Sequence, residues 1–281
     1  MIKDKKVLTI QDISCVGQCS LTVALPIISA CGIETCVLPS SVLSTHTAGF
    51  SGYTFRDLTD DMPAISAHWE KENIKFDAVY TGYLGSIKQI EYVKNIMEKH
   101  LSDGGVRIVD PAMADNGQLY YGFTEEFAGE MAKLCGEADI ILPNITEACF
   151  MTGEEIKLSG YDEAYIERLI KKLAALGSKY VVLTGVSYDE TKLGAAVYDS
   201  KNDKLDYYFH TKSEKSSHGT GDVYASSFVG AYIRGFSCLD AAKIACDYTY
   251  KCILETVDDK DHWYGVKFEK AIPYLIERLS K

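Results

Sequence analysis

Toward the C-terminal part of the chain stand Ser217, His218, Gly219, Thr220, Gly221 and Asp222, followed by the small and apolar run from Val223 to Tyr232. Two glycines around a threonine permit a tight turn, and a turn feeding a helix aims consecutive N–H groups at one spot, where the helix dipole is positive. Such a turn binds an anion. Asp222 beside it is the anomaly, because a carboxylate repels a phosphate; it makes sense if it takes a proton from an attacking hydroxyl or holds a bridging cation. The plain alternative is a capping residue at the start of a helix. The run behind it has almost no polar face, so the helix it forms must be buried.

Elements that could position such a turn are visible upstream. Apolar, β-branched runs recur at Val7–Ile10, Thr35–Leu38, Ala78–Tyr80, Val106–Val109, Ile140–Leu142 and Tyr180–Leu183, beginning 28 to 43 residues apart, close to the roughly 30-residue βαβ unit. Continuous apolar runs are what parallel strands buried on both faces require. Between them lie helical patterns, clearest at Ile166, Leu169, Ile170, Leu173 and Ala174, with Gly177 placed to end the helix as its C-cap. Ala195–Tyr198 and Leu205–Phe209, split by a polar turn, predict an antiparallel hairpin at a sheet edge. Three helical segments, about 220–235, 238–256 and 266–280, close the chain. No linker or repeat divides it, so the expectation is one α/β domain over residues 1–281, a doubly wound, mostly parallel sheet with helices on both faces.

In such a sheet, ligands bind beyond the carboxyl ends of the strands. The residues found there are Gln11, Asp12 and Ser14, then Thr81 to Tyr83, Asp110 and Pro111, Asn144 with Glu147, and Thr184 with Gly185. Three carboxylates, two amides and several hydroxyls form an oxygen-rich set suited to hydrated Mg²⁺ and phosphates. Taken singly, Asp110 before a proline reads as a turn and Asn144 as a helix cap.

Composition narrows the classes. With 281 residues, 29 Lys+Arg against 40 Asp+Glu and a formal charge of −11, the chain offers no basic stripe for nucleic acid or an anionic membrane. It has no membrane-length apolar run, and Met1 to Lys6 lead straight into a strand pattern, which predicts a cytoplasmic protein. Nine cysteines without a Cys-x-x-Cys pair, and six histidines never at zinc-finger spacing from them, predict reduced packing thiols rather than disulfides or structural zinc. A P-loop is absent, and Tyr224 breaks any dinucleotide fingerprint starting at Gly219.

Six segments in order resemble the vitamin B6 kinases of the ribokinase superfamily, the pyridoxal and pyridoxamine kinases. They are Thr9 to Gln11 with Ser14 and Gly17, Leu43 to Thr47, Thr81 to Ser86, Val109 to Pro111 with Asp115, Pro143 to Glu147, and Gly219 to Asp222. The resemblance spans essentially the whole chain. It implies transfer of the ATP γ-phosphoryl group to the 5′-hydroxymethyl of a B6 vitamer, with Asp222 taking the hydroxyl proton and the amides of Gly219, Thr220 and Gly221 stabilising charge on the transferred oxygens. By the same resemblance Asp110, Asn144 and Glu147 hold Mg²⁺ and its waters, with Asp110 and Glu147 as metal residues. Asp115 and Thr184 serve the nucleotide. Asp12, Ser14, His46, Thr47 and Tyr83 serve the vitamer, Tyr83 packing on its ring. Residues 115–122 resemble a lid, and the family also implies a monovalent cation such as K⁺ and a homodimer.

Three departures from the family pattern stand out. Asp12 occupies a position where many members carry Ser, which implies a preference for a cationic vitamer such as pyridoxamine through a charge-assisted hydrogen bond. Ala112 and Ala114 replace Val and Gly ahead of Asp115. Rival readings are the hydroxymethylpyrimidine kinases of the same superfamily, which share the Gly-Thr-Gly-Asp turn, and a catalytically silent protein that binds a vitamer or nucleotide. A sugar or nucleoside kinase is disfavoured because the N-terminal Gly-Gly motif is missing.

Overall fold

A computed structural model describes residues 4–213 and 217–280. They group into two compact units, one made of the chain up to Gly105 together with the residues from Ser213 onward, the other of Val106–Lys212.

The first unit is built on β1 (Lys6–Ser14), β2 (Glu34–Leu43), β3 (Phe55–Asp57) and β4 (Phe76–Thr81), in the order β4-β1-β2-β3. β1 runs parallel to both neighbours, with Thr9 opposite Val37 and Tyr80, and β3 closes the edge antiparallel to β2. Val7, Leu8 and Ile10 are wholly buried, as a central strand covered on both faces requires. Pairing of β1 with β2 slips between Gln11 and Ile13. An irregularity of this kind re-aims the side chain it contains, and here that residue is Asp12. The helices are α1 (Leu21–Ala30), α2 (Met62–Lys71), α3 (Ile87–His100), α7 (Thr220–Ile233), α8 (Cys238–Thr256) and α9 (Phe268–Leu279). α7 packs between α1 and α8 with every residue from Val223 to Ala231 buried, as its apolar sequence demands. His100 at the end of α3 is a core histidine, bonded to the Ser66 hydroxyl at 2.9 Å and the Ile74 carbonyl at 3.1 Å.

β5 (Leu101–Val109) carries the chain into the second unit, where the order is β11-β10-β9-β8-β5. Here β8 (Ile140–Ile141) lies parallel to β5 and to β9 (Tyr180–Val186). β10 (Lys192–Asp199) and β11 (Lys204–Thr211) form the expected antiparallel edge hairpin. The α5 helix (Ile145–Thr152) and α4 (Glu125–Gly136) pack together, and α6 (Glu163–Ala174) buries its stripe of Ile166, Leu169, Ile170 and Leu173. That helix ends earlier than Gly177 suggests, with Ala175 as C-cap. Gly177 serves a close approach instead: at φ 135°, a Cβ on it would lie 2.3 Å from the Gly136 carbonyl oxygen. Within the 115–122 segment a two-strand ribbon forms, β6 (Ala114–Asp115) against β7 (Gln118–Leu119).

All nine cysteines are free, and among the described residues no helix is long and apolar enough to cross a membrane. The β10–β11 pairing admits no side chain at Gly194, where a Cβ would sit 1.9 Å from the Tyr208 carbonyl oxygen. Gly194→Ala is therefore expected to destabilise the protein by about 1–3 kcal/mol, read as a lower denaturant midpoint with an unchanged slope.

Candidate active site

Gly219 is the N-cap of α7, with φ 76° and no side-chain cap. A Cβ there would fall 1.8 Å from the carbonyl oxygen of Gln18, so the turn presses against the chain just before α1 and only glycine fits. Asp222 occupies the third position of α7, in its first turn, while Gly219 rather than Asp222 is the N-cap. Burial pushes its carboxyl up to about 7, the charge of Asp12 adds to that rise, and the Ser20 backbone N–H directed at it opposes both.

Asp12 is 5 % exposed. Ser14 Oγ donates to its Oδ2 at 2.9 Å, and the Ser20 hydroxyl lies near enough to favour its charge. Burial raises its proton affinity against the pull of these two hydroxyls. Tyr83, partly buried, lies close enough to Asp12 for that charge to matter; burial first, then Asp12, lifts its phenol to about 12. Cys19 is within reach of both carboxylates, and burial drives its thiol upward, away from a reactive thiolate. At the strand ends, Gln11 Nε2 donates to Thr9 Oγ1 at 2.8 Å, while Gln11 Oε1 and Thr81 Oγ1 are buried without a partner among the described residues.

His46 is engaged by the fold. Its Nδ1 accepts from the Ala48 N–H at 3.2 Å and its Nε2 lies 2.6 Å from the Tyr264 carbonyl, which assigns a neutral ring protonated on Nε2. Burial keeps it neutral. The ring leaves no room for a side chain at Gly17, and it joins an aromatic group with Phe50 and His218 at 5.0 and 5.8 Å. Both nitrogens that a ligand could meet are thus occupied. Thr47 next to it is exposed.

In the second unit, Asn144 and Glu147 form a reciprocal capping box at the start of α5. The Asn144 Oδ1 accepts from the Glu147 N–H at 2.9 Å, and Glu147 Oε2 accepts from the Asn144 N–H at 2.8 Å. Glu147 Oε1 accepts from the Met113 N–H at 3.1 Å, and the Ala114 N–H also stabilises the charge. Even so, burial at 2 % exposure prevails and its carboxyl rises to about 7, helped by Asp115. Asn144 Nδ2 reaches back to the Ala114 carbonyl at 2.8 Å. The loop so held carries Asp110, whose Oδ1 accepts from the Ala112 N–H at 3.2 Å, and turns at Ala112 with φ 22°, a left-handed value that a non-glycine residue adopts only under constraint. Asp115 is exposed and bonded to the Asn116 N–H at 2.8 Å. Thr184 is bridged to Asn144, its N–H donating to the Pro143 carbonyl at 2.9 Å. Gly185 after it has φ 76° and open space on its Cβ side.

The structure therefore gathers Asp12, Ser14, Tyr83 and Asp222 in one unit and Asn144, Glu147, Thr184 and the 110–115 loop in the other. Glu147 and Asn144 act on backbone rather than standing free as ligands. Among the described residues no three acidic, histidine or cysteine side chains converge on one point. The donors present are hard oxygens, which fit a Mg²⁺ that keeps most of its waters and takes its remaining oxygens from phosphates. Ser20 and the Met113 and Ala114 amides escaped the sequence reading: a serine ahead of an apolar helix reads as a cap, and backbone donors carry no sequence signal.

Comparison with known proteins identifies the family. The family model described as phosphomethylpyrimidine kinase matches residues 28–266. A pyridoxal kinase of Dictyostelium discoideum is 28% identical over 274 residues, covering 92% of this chain and 88% of its own. A protein of Bacteroides thetaiotaomicron, provisionally assigned as a phosphomethylpyrimidine kinase and crystallised with pyridoxal, is 34% identical with a TM-score of 0.91 over 97% of this chain and 96% of its own. The pyridoxal kinase of Lactobacillus plantarum is 30% identical, with a TM-score of 0.89 and 97% coverage of each chain. Pyridoxal kinases are among the solved structures it resembles, and this chain belongs to the phosphomethylpyrimidine kinase family.

Proposed function

We propose that this chain is an ATP-dependent kinase that phosphorylates the 5′-hydroxymethyl group of a B6 vitamer. The observation that carries the reading is Asp222: a half-buried carboxyl lifted to about 7 by desolvation, in the first turn of a helix with a glycine N-cap. A base with this proton affinity gains its charge near neutral pH and can take the proton of a hydroxymethyl group as that oxygen attacks phosphorus. The Gly219, Thr220 and Gly221 amides and the positive end of α7 stabilise negative charge on the transferred oxygens.

Asp12 and Ser14 offer polar contacts to substituents of the vitamer ring, Tyr83 a flat apolar face, and Thr47 an exposed hydroxyl. His46 holds the loop that carries Thr47. In the second unit, Asp110 and, through its grip on residues 113–114, Glu147 would hold hydrated Mg²⁺, which neutralises phosphate charge when bound. Asn144, Asp115 and Thr184 serve the nucleotide. Asp12 favours a vitamer bearing an ammonium group, because a charge-assisted hydrogen bond outweighs a neutral one.

A second reading, hydroxymethylpyrimidine phosphorylation, draws support from the family description itself; an aminopyrimidine also offers N–H donors to Asp12. Side-by-side assays with ATP, Mg²⁺ and pyridoxal, pyridoxamine, pyridoxine or hydroxymethylpyrimidine separate the two. Turnover of the B6 vitamers is expected, with kcat/KM rising as pH passes through about 7, and Asp222→Asn lowering it at least about 10²-fold. Turnover of the pyrimidine alone would transfer the chain to the second reading, and vitamer binding without turnover would make it a binding protein. In the same panel, Asp12→Ser is expected to reduce the preference for pyridoxamine over pyridoxal by about tenfold.

The desolvated base also leaves a mark on stability. Its carboxyl moves from 3.8 to about 7 on folding, so the folded state keeps a proton that the unfolded chain has lost between those values. The contribution is fully present below pH 3.8 and lost as pH rises through about 7. Asn at this position cannot ionise. Thermal unfolding of Asp222→Asn should therefore show a Tm advantage over the parent protein that grows from pH 4 to pH 8; a gap independent of pH would contradict a desolvated titrating carboxyl.

A further inference from the structure

Between the two capping-box residues of α5 stands Thr146, which has no part in the mechanism above. It is 2 % exposed, and its Oγ1 accepts from the Gly117 N–H at 3.0 Å, 29 positions away in the chain. Gly117 lies at the tip of the β6–β7 ribbon. Asn116 and Gly117 have φ 50° and 79°, the pair of positive values that a two-residue type I′ hairpin requires and that Asn-Gly supplies. The N–H groups of these two turn residues lie outside the ribbon's own ladder. The Asn116 N–H finds Asp115 Oδ1 at 2.8 Å and Asn116 Nδ2 finds Asp115 Oδ2 at 3.1 Å, so the tip orients the Asp115 carboxylate. The Gly117 N–H finds Thr146. With it the first turn of α5 takes three backbone groups of one segment: Glu147 the Met113 N–H at 3.1 Å, Asn144 the Ala114 carbonyl at 2.8 Å and Thr146 the Gly117 N–H. The capping box holds the base of the ribbon, and Thr146 holds its tip.

We propose that Thr146 is a positioning residue, a latch that fixes the tip of the β6–β7 ribbon on α5 and thereby sets where Asp115 stands toward the nucleotide. The inference rests on the kinase reading and on Asp115 serving the nucleotide. A ribbon of two residues per strand cannot hold its own shape in water, so its geometry is borrowed from the helix it is bonded to. At its base the Tyr120 N–H donates to the Met113 carbonyl at 2.8 Å. At its tip Leu158 and Ile156 lie 3.7 and 3.9 Å from where a Cβ of Gly117 would stand, an apolar contact that sets no direction; the bond to Thr146 does. With the latch made, the turn beside Asp115 is ordered before the nucleotide arrives. Without it the ordering cost falls on nucleotide affinity and not on the chemical step.

The first test needs no nucleotide. In the full-length protein labelled with ¹⁵N, hydrogen exchange of the Gly117 amide is followed by NMR. Thr146→Val keeps the shape of the side chain and removes the acceptor; it is expected to speed exchange at Gly117 about tenfold, while Met113, held by Glu147, keeps its protection. Thr146→Ser is expected to restore the parent rate. A role for Thr146 in packing α5 alone would lower Tm and leave Gly117 exchange in place. Exchange at Gly117 unmoved in Thr146→Val, or equally fast in Thr146→Ser, overturns the latch. The second test reads the nucleotide. Calorimetric titration with ATP and Mg²⁺ is expected to show Kd raised about tenfold in Thr146→Val and near the parent value in Thr146→Ser. In the kinase assay KM for ATP should rise by a similar factor, with kcat and the KM for the vitamer little changed. Equal ATP affinity in the parent protein and Thr146→Val overturns the positioning role. Absence of both ATP binding and turnover in the parent protein would instead defeat the kinase reading, with the exchange measurement still deciding the latch.

Discussion

Beside a phosphate, a carboxylate would be in the wrong place electrostatically, yet the packing of the first unit holds Asp222 at the glycine turn that opens α7. Asp222 is fixed by α7, a helix with no polar face from Val223 to Ala231, so it cannot slide or turn outward without exposing apolar surface. The start of α7 is fixed in turn by Gly219 against the Gln18 carbonyl. The desolvation that results lifts the proton affinity of the group to about 7, where the same residue in water would be fully ionised. Packing, backbone geometry and chemistry are here one constraint.

Burying a second carboxylate nearby follows a different logic. Asp12 sits in the slip of pairing between Gln11 and Ile13, and its burial is offset by two serine hydroxyls rather than by a cation. Neutral donors stabilise a charge without cancelling it, so Asp12 keeps a field that acts on Asp222 and Tyr83. A lysine or arginine in the place of either serine would have quenched that field.

Much of this was legible in the sequence, for identifiable reasons. The six apolar runs mark strands, with only Leu142 falling outside, because a central strand covered on both faces must be apolar throughout; Thr35–Leu38 departs from that rule, with Val37 exposed. The edge hairpin was equally plain, since its two strands are separated by a polar turn. β3, β6 and β7 left no such trace: they are two or three residues long and held by pairing alone, with Phe55 to Asp57 exposed throughout. At the site, residue types could be read but not their partners. The ring nitrogen of His46 bonds a carbonyl 218 positions away, and the register slip that aims Asp12 is a property of two strands together.

The Asn144 and Glu147 pair illustrates why a motif can be recognised before its physics is understood. Read as chemistry, an amide and a carboxylate at a strand end suggest ligands. In the structure, both Glu147 oxygens accept backbone N–H groups, and Asn144 spends its oxygen on Glu147 and its nitrogen on Ala114. Their spacing of three is what a capping box demands, so the same spacing that looks like a binding motif is also the signature of a helix start. The two roles are joined by the loop: the bonds to Met113 and Ala114 define the path of the backbone that presents Asp110, and they hold Ala112 in a left-handed turn it would not adopt unaided. A side chain that fixes the geometry of a neighbouring carboxylate sets what that carboxylate can hold, and Glu147 does so from a place that water does not reach.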